Sequence, residues 1–418
     1  MKTLVMLLAL TAAAPVAAQT LAVTHAEAWT MEAGEPVKDA TIIIENGKIV
    51  SVTPGGGVPQ GATVIDARGK PVTPGLMNAA TQVGLVEVAS ASGTRDQGST
   101  DDRNPGFDPA RALNGNSTLV DLIRADGVTR AFLYPAQSRH PVFAGEPVIA
   151  RYRDGVDILG SREAAVYAVI GGGAWDKLGS RAQQWTVLRK ALSDAKGAMA
   201  ARDAGDAKKQ DRRGPPRRRG VGEDLIRGVI TGETPLAIQT NRESDILQAI
   251  QLAADFGIRV VIVEGAEAWR AADALAAAKI AVVLDPSTNL PGSFDELGSR
   301  QDNAAILTRA GVTVAFGMAG GRIHSTYNAG LALREGAGIA VANGLSWIES
   351  LRAVTVNPLA IWGRGGGQLT PGSEADLVVW DGDPLEPSTN ATAVIVEGRQ
   401  TSIRSRQDLL AERYKDAR

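Results

Sequence analysis

Three histidines, His25, His140 and His324, and no cysteine make up the whole imidazole and thiol inventory of this 418-residue chain. Without cysteine there is no thiolate nucleophile, no Cys-ligated zinc and no disulfide. His25 falls in an N-terminal β segment and reads as a surface or interdomain polar residue. His140 follows a strand ending at Tyr134, and His324 follows a strand ending at Phe316. Both strand-end positions suit a pocket residue, and both suit an ordinary loop histidine. Gly171-Gly172-Gly173 and Gly365-Gly366-Gly367 lack the spacing and the lysine of a phosphate cradle. No serine sits in a nucleophile-elbow pattern. Asn390-Ala391-Thr392 fits a glycosylation sequon, which a turn explains equally well.

Such residues need elements to position them. Thr41–Ile44 and Lys48–Val52 are β-branched runs joined through Asn46-Gly47. That pair predicts a tight hairpin, because both central residues of the turn need positive φ. Val64-Ile65-Asp66 adds a strand. At the far end, Ala375–Trp380 and Ala393–Arg399 are strands around the turn Asp381–Pro384. Two β segments with a long interior between them predict one composite β domain closed by both termini. Inside, strands and helices alternate. Gly127–Tyr134, Arg259–Val263, Ile280–Leu284 and Val312–Phe316 read as strands. Ser244–Phe256, Ala268–Ala278 and Asp302–Ala310 read as helices. Helices feeding β-branched strands predict a parallel sheet with crossover helices, and their number favours a barrel over a doubly wound sheet.

Composition sets the remaining bounds. Apolar residues make up 44% of the chain, enough for a barrel and a smaller domain. A formal net charge of -2 gives no reason to expect a nucleic-acid partner. Residues 1–18 read as a secretory signal peptide: Lys2 supplies the positive start, Leu4–Ala14 the apolar run, and Val16-Ala17-Ala18 the cleavage site before Gln19. The expectation is a periplasmic protein with no transmembrane segment in the mature chain. Ala204–Gly220 is polar, basic and broken by Pro215-Pro216, and is expected to be a disordered surface insertion. The domain reading is therefore 19–70 and 366–418 as the two parts of the β domain, with 71–365 as the interior barrel.

Four stretches carry a family likeness: "IENGKIVSV", the strand ending in "PGLMNA", "GLSWIESLRAVTVNPLAIWG", and "GSEADLVVWDGDPLE" with "AVIVEGR". Together they resemble the amidohydrolase superfamily, most nearly its exported, imidazolonepropionase-related branch. The likeness runs from about residue 20 to the C-terminus apart from the basic insertion. It implies an α/β fold: a (β/α)8 TIM-like barrel with a composite β-sandwich domain. It also implies zinc or another divalent metal at the C-terminal strand ends, generating a hydroxide for hydrolysis.

The residues at the implied ligand positions do not match. The paired histidines after "PGLMNA" become Ala80 and Gln82. The next histidine position is Gln239 in "PLAIQTNR", with Asn241 two places on. The following one is Glu264 in "VEGAEAW", and the aspartate position is Ala319 or another residue of Gly317 to Gly321. The lysine that some relatives carbamylate has no counterpart beyond Arg151 or Arg153. Ala80 and Ala319 offer no donor, and amide oxygens are weak zinc partners. No metal or other cofactor is therefore expected. Gln82, Gln239, Asn241, Arg242 and Glu264 would instead crowd one barrel mouth with polar groups, beside Ala80 and Ala319. The resemblance then implies a non-catalytic homologue, acting as a structural or regulatory partner of an active amidohydrolase in a homo- or hetero-oligomer. The alternatives are a hydrolase of non-peptide carbon–nitrogen bonds with a rearranged site using Glu264, His140 or His324, and a metal-free binder of a polar small molecule.

Overall fold

The computed structural model describes residues 20–98, 106–136, 142–162, 164–172, 179–208, 221–319, 326–363 and 365–415. Residues 1–18, His140 and His324 lie outside these. Helix α2, preceded by α1 (Thr118–Ala125), spans Arg181–Lys208 and so reaches into the basic segment that begins at Ala204. Residues 209–220 lie outside the described residues.

The N-terminal strands are β1 (Thr20–Ala28), β2 (Val37–Glu45), β3 (Lys48–Pro54), β4 (Thr63–Asp66) and β5 (Pro71–Pro74). The expected hairpin joins β2 to β3, with Glu45 opposite Lys48 and both turn residues at positive φ, 50° at Asn46 and 78° at Gly47. The C-terminal strands are β16 (Leu377–Trp380), β17 (Ala391–Val396) and β18 (Arg399–Thr401). Both sets share one eight-stranded sheet in the order β18-β17-β16-β5-β1-β2-β3, with β4 also paired to β1. The junction is antiparallel, Leu377 opposite Pro74 and Val379 opposite Val72.

Between them, β6 (Leu76–Thr81) runs parallel to β7 (Val128–Leu133). Five further strands are parallel in chain order: β11 (Val166–Val169), β12 (Leu236–Thr240), β13 (Val260–Glu264), β14 (Ala281–Leu284) and β15 (Val314–Phe316). The exception is the chain from 143 to 151. Its first strand, β8 (Phe143–Gly145), pairs antiparallel with β11, and its second, β9 (Val148–Arg151), pairs antiparallel with β7. β10 (Leu159–Ser161) lies outside β9. The expected helices follow their strands: α4 (Glu243–Phe256), after α3 (Val221–Thr231), is closed by Gly257 at φ 67°. A 3-10 turn at Ala268–Ala271 runs into α5 (Ala272–Ala277), and α6 spans Asn303–Arg309. α7 (Ala329–Ala342), α8 (Trp347–Ala353), α9 (Val356–Ile361) and α10 (Arg406–Tyr414) complete the chain. No helix of the described residues is long and apolar enough to cross a membrane.

Inward-facing Phe132, Tyr134, Tyr167 and Trp362 fill a buried cluster with alanines and valines from β6, β12, β13, β14 and β15. Phe132 and Trp362 stack with ring centres 3.7 Å apart. The terminal sheet is pinned to this interior by charge. Arg130 Nε donates to Asp376 Oδ2 at 2.6 Å and its Nη2 donates to Glu374 at 2.8 Å. Arg151 binds Glu374 and Glu397, and Arg153 binds Glu397. Burial alone would raise the Glu374 carboxyl, but Arg130 and Arg151 outweigh it and hold it below its ordinary value. Arg151 and Arg153 therefore serve this junction, not the strand-end position considered for them.

Candidate functional site

The C-terminal strand ends bring most of the singled-out residues together. Ala80 lies in β6 with Gln82 just beyond it, Gln239 is the penultimate residue of β12, Glu264 is the last of β13, and Ala319 follows β15. Parallel register sets Gln239 beside Val263 and Thr240 beside Glu264.

Glu264 is the hub. Gln239 Nε2 donates to its Oε1 at 2.7 Å, and Asn241 Nδ2 donates to its Oε2 at 2.7 Å. The amide orientations are fixed by chemistry. The Ala266 backbone N–H can only donate, and it meets Asn241 Oδ1 at 3.0 Å, so Nδ2 faces the carboxylate. Gln239 Oε1 accepts from the Tyr167 hydroxyl at 3.0 Å. Burial first, then Tyr134 and the Glu264 charge, push the Tyr167 phenol well above its ordinary range, so it stays a neutral donor. Glu264 holds φ 75°, a left-handed backbone that costs a non-glycine residue roughly 1–2 kcal/mol. The surrounding bonds keep the side chain in place against that strain.

Gln82 and Arg242 have other described roles. Gln82 Nε2 reaches the Tyr134 carbonyl at 3.4 Å. Arg242 is the N-cap of α4, without a side-chain cap bond. Asn78, which the sequence reading passed over, ties β6 to the end of β15: its Oδ1 accepts from Ala80 N at 3.2 Å and Met318 N at 3.3 Å. A polar residue inside a wholly buried strand was the available signal. Gly317 approaches β6 so closely that an added Cβ would stand 2.5 Å from Ala80 N.

Beside the hub is a cavity of about 220 Å³, lined among others by Asn241, Glu264, Asp285, Glu296, Arg300 and Asn303. Asp285 Oδ1 accepts from the Ser287 N–H at 3.0 Å and its hydroxyl at 2.5 Å. Arg300 is engaged by both oxygens of Asp302. Asn303 is nine-tenths buried; its Nδ2 donates to the Gly265 carbonyl at 3.0 Å, and its Oδ1 has no partner. Asp285 and Asn303 were not foreseen, since neither occupies a position the resemblance marks.

The described side chains at the implied ligand positions offer little to a divalent metal. Ala80 and Ala319 present methyl groups, both Glu264 oxygens accept amide N–H groups, and the Gln239 carbonyl faces a phenol. Among the described residues, no group of three or more His, Cys, Asp or Glu side chains could hold a metal ion.

The amidohydrolase family model matches residues 214–401. The chain is similar to the solved structure of an amidohydrolase from Thermotoga maritima MSB8, with a TM-score of 0.82 and 24% identity, covering 92% of this chain and 100% of that one. It is similar to molinate hydrolase, with a TM-score of 0.56, 16% identity and coverage of 92% and 95%. N-isopropylammelide isopropylaminohydrolase from Burkholderia multivorans ATCC 17616 gives 0.52 and 16%, covering 91% and 98%. No curated protein matches the chain in sequence. The family model thus covers the C-terminal part of the chain, and the likeness to these solved structures is one of fold.

Proposed function

We propose that this chain is a non-catalytic amidohydrolase homologue whose metal-ligand positions have become a self-satisfied polar cluster. One observation carries the reading: Glu264, the only carboxylate at an implied ligand position, is bound at both oxygens by the amides of Gln239 and Asn241. Swapping imidazoles for amides keeps the strand ends hydrogen-bonded without a cation, as buried polar groups require. In this reading the parallel strands are a (β/α)8 barrel, the terminal strands form its composite β domain, and the branch is the exported, imidazolonepropionase-related one. The leader at 1–18 directs the chain to the periplasm. There it acts as a structural or regulatory partner of an active amidohydrolase. Exposed Leu290, Phe294 and Leu297, on the chain after β14, supply apolar surface for association.

A second reading, a binder of a polar small molecule, is favoured by the cavity beside the hub, where polar side chains line a partly open recess.

The test is the metal content of the purified mature chain after growth with zinc, manganese and iron, with turnover on amides, imides and lactams measured on the same sample. The expected result is negligible metal and no turnover. About one metal per chain, as a three-ligand catalytic site requires, or turnover abolished by Glu264→Ala with the melting temperature kept, would overturn the proposal in favour of a rearranged hydrolase.

A further inference from the structure

We infer that residues 287–299, the chain between β14 and α6, form a strap that closes over the Gln239, Asn241 and Glu264 cluster and is held there by a polar latch at Asp295, so that it gates access to the strand ends. Strand order sets its course. β11, β12, β13 and β14 lie side by side and parallel, and the strap leaves from the end of β14. Its Asp295 Oδ2 accepts from the Gly172 N–H at 2.5 Å, just beyond β11, and its Oδ1 pairs with Arg181 at the start of α2. A segment tied to both places has to pass the ends of β13 and β12, where Glu264 and Gln239 stand. The cavity beside the cluster is accordingly lined by both, by Asn241 and Glu264 and by Thr288, Gly292 and Glu296 of the strap.

Polar bonds hold the strap, not burial of its large apolar side chains. Leu290, Phe294 and Leu297 are 74%, 88% and 65% exposed. The 3-10 turn Phe294–Glu296 that presents Asp295 is capped by the Ser293 hydroxyl. Arg181 is itself fixed by an ion pair with buried Asp245 at 3.2 Å, and the Trp185 indole donates to that carboxylate at 3.0 Å. Gly171 and Gly172 leave room for the closed position: an added Cβ would stand 3.0 and 3.2 Å from Asp295 Oδ2. A second tie lies at Gly298, whose N–H donates to Glu267 at 3.1 Å and whose carbonyl accepts from the Trp269 indole at 2.9 Å. Apolar burial supplies most of the free energy that resists opening. A segment kept shut by a few bonds therefore opens locally far more readily than the strands beneath it. The Arg181–Asp295 pair is partly exposed, so salt weakens the latch.

The chain has no cysteine, so one placed on the cavity wall reports the gate. Ala266 lines the cavity and is 7% exposed. Labelling of the full mature Ala266→Cys chain by N-phenylmaleimide, a neutral thiol reagent, is timed alone and with Asp295→Ala or Phe294→Ser added. The expected result is slow labelling, quickened by added salt and unchanged by Phe294→Ser. Asp295→Ala should quicken it about tenfold, the scale of one lost charge-assisted bond. A rate left unchanged by Asp295→Ala, or raised as much by Phe294→Ser, would overturn the inference. If the Ala266→Cys chain does not melt cooperatively, hydrogen exchange on the cysteine-free parent and its Asp295→Ala variant decides. There the expected acceleration is confined to the strap and to Gly171 and Gly172; none, or one shared by β12 and β13, overturns the latch.

Discussion

Gln239 and Glu264 stand on neighbouring parallel strands with the amide nitrogen 2.7 Å from the carboxylate oxygen. Every polar atom of the pair has a role in one line of bonds: phenol to amide carbonyl, amide N–H to carboxylate, and a second amide on the other oxygen. Glu264 therefore organises the strand ends that the superfamily likeness assigns to metal ligands, and it does so from a strained backbone.

Glu264→Ala should cost about 1–3 kcal/mol, since it leaves two amide donors without their acceptor. Glu264→Gly loses the same bonds but relaxes the φ of 75°. It should therefore be more stable than the alanine variant by about 1 kcal/mol. Urea unfolding of the three proteins decides; an alanine variant equal to or better than the glycine variant would show that the strain is not real.

Asp126 gives a pH signature. Burial, partly opposed by the Arg334 charge and a bond from the Leu331 N–H, pushes its carboxyl from 3.8 up to about 6. The folded state thus holds this proton more tightly than the unfolded chain. The associated stability is complete below pH 4 and is lost as pH rises to about 6, amounting to on the order of 2–3 kcal/mol. Asp126→Asn cannot titrate. Its stability relative to the parent should rise across that interval and level off above it, as read from unfolding at a series of pH values. A constant difference would sink the assignment.

Gly317→Ala should destabilise by about 1–3 kcal/mol through overpacking. The new methyl would meet backbone atoms, Ala80 N at 2.5 Å and Ala79 C at 3.0 Å, which cannot swing aside as a side chain can. Thermal unfolding within error of the parent would mean that β15 and β6 are less tightly apposed than described.

Arg334→Lys tests the junction between α7 and the terminal sheet. The guanidinium donates to the carbonyls of Pro384 at 2.8 Å and of Glu386 and Thr389 at 2.6 Å, and lies 4.8 Å from the Trp380 ring centre. A lysine keeps the charge but not the planar fork, so the loss should be about 2–4 kcal/mol. Chemical denaturation measures it; a loss below about 0.5 kcal/mol, the range of a surface change, would contradict the role.

Local signals were legible in the sequence where a residue's own chemistry dictates its backbone. Asn46-Gly47 forced the hairpin, Gly257 closed α4, and the β-branched runs placed β13, β14 and β15 within a residue or two of their observed starts. Flanking motifs were enough to put Gln239, Glu264 and Ala319 at strand ends. Contacts between distant segments were not legible. Nothing near Asp285 or Asn303 announces that they share a wall, and nothing in Val142–Arg153 says that its strands run against their neighbours. The bonds of Tyr167 and Asn78 likewise depend on strands far apart in the chain.

The pairing of β5 with β16, Pro74 opposite Leu377, has a kinetic consequence. These partners are separated by nearly the whole interior of the chain, so the eight-stranded sheet must close one of the longest loops the sequence allows. Loops of that span are entropically costly to close and form late. A ribosome that still holds the C-terminal segment leaves β1 to β5 with an unpaired edge. Refolding should therefore show a slow final phase reporting on Trp380, whose indole N–H meets Thr73 at 2.9 Å only once the two ends of the chain have joined.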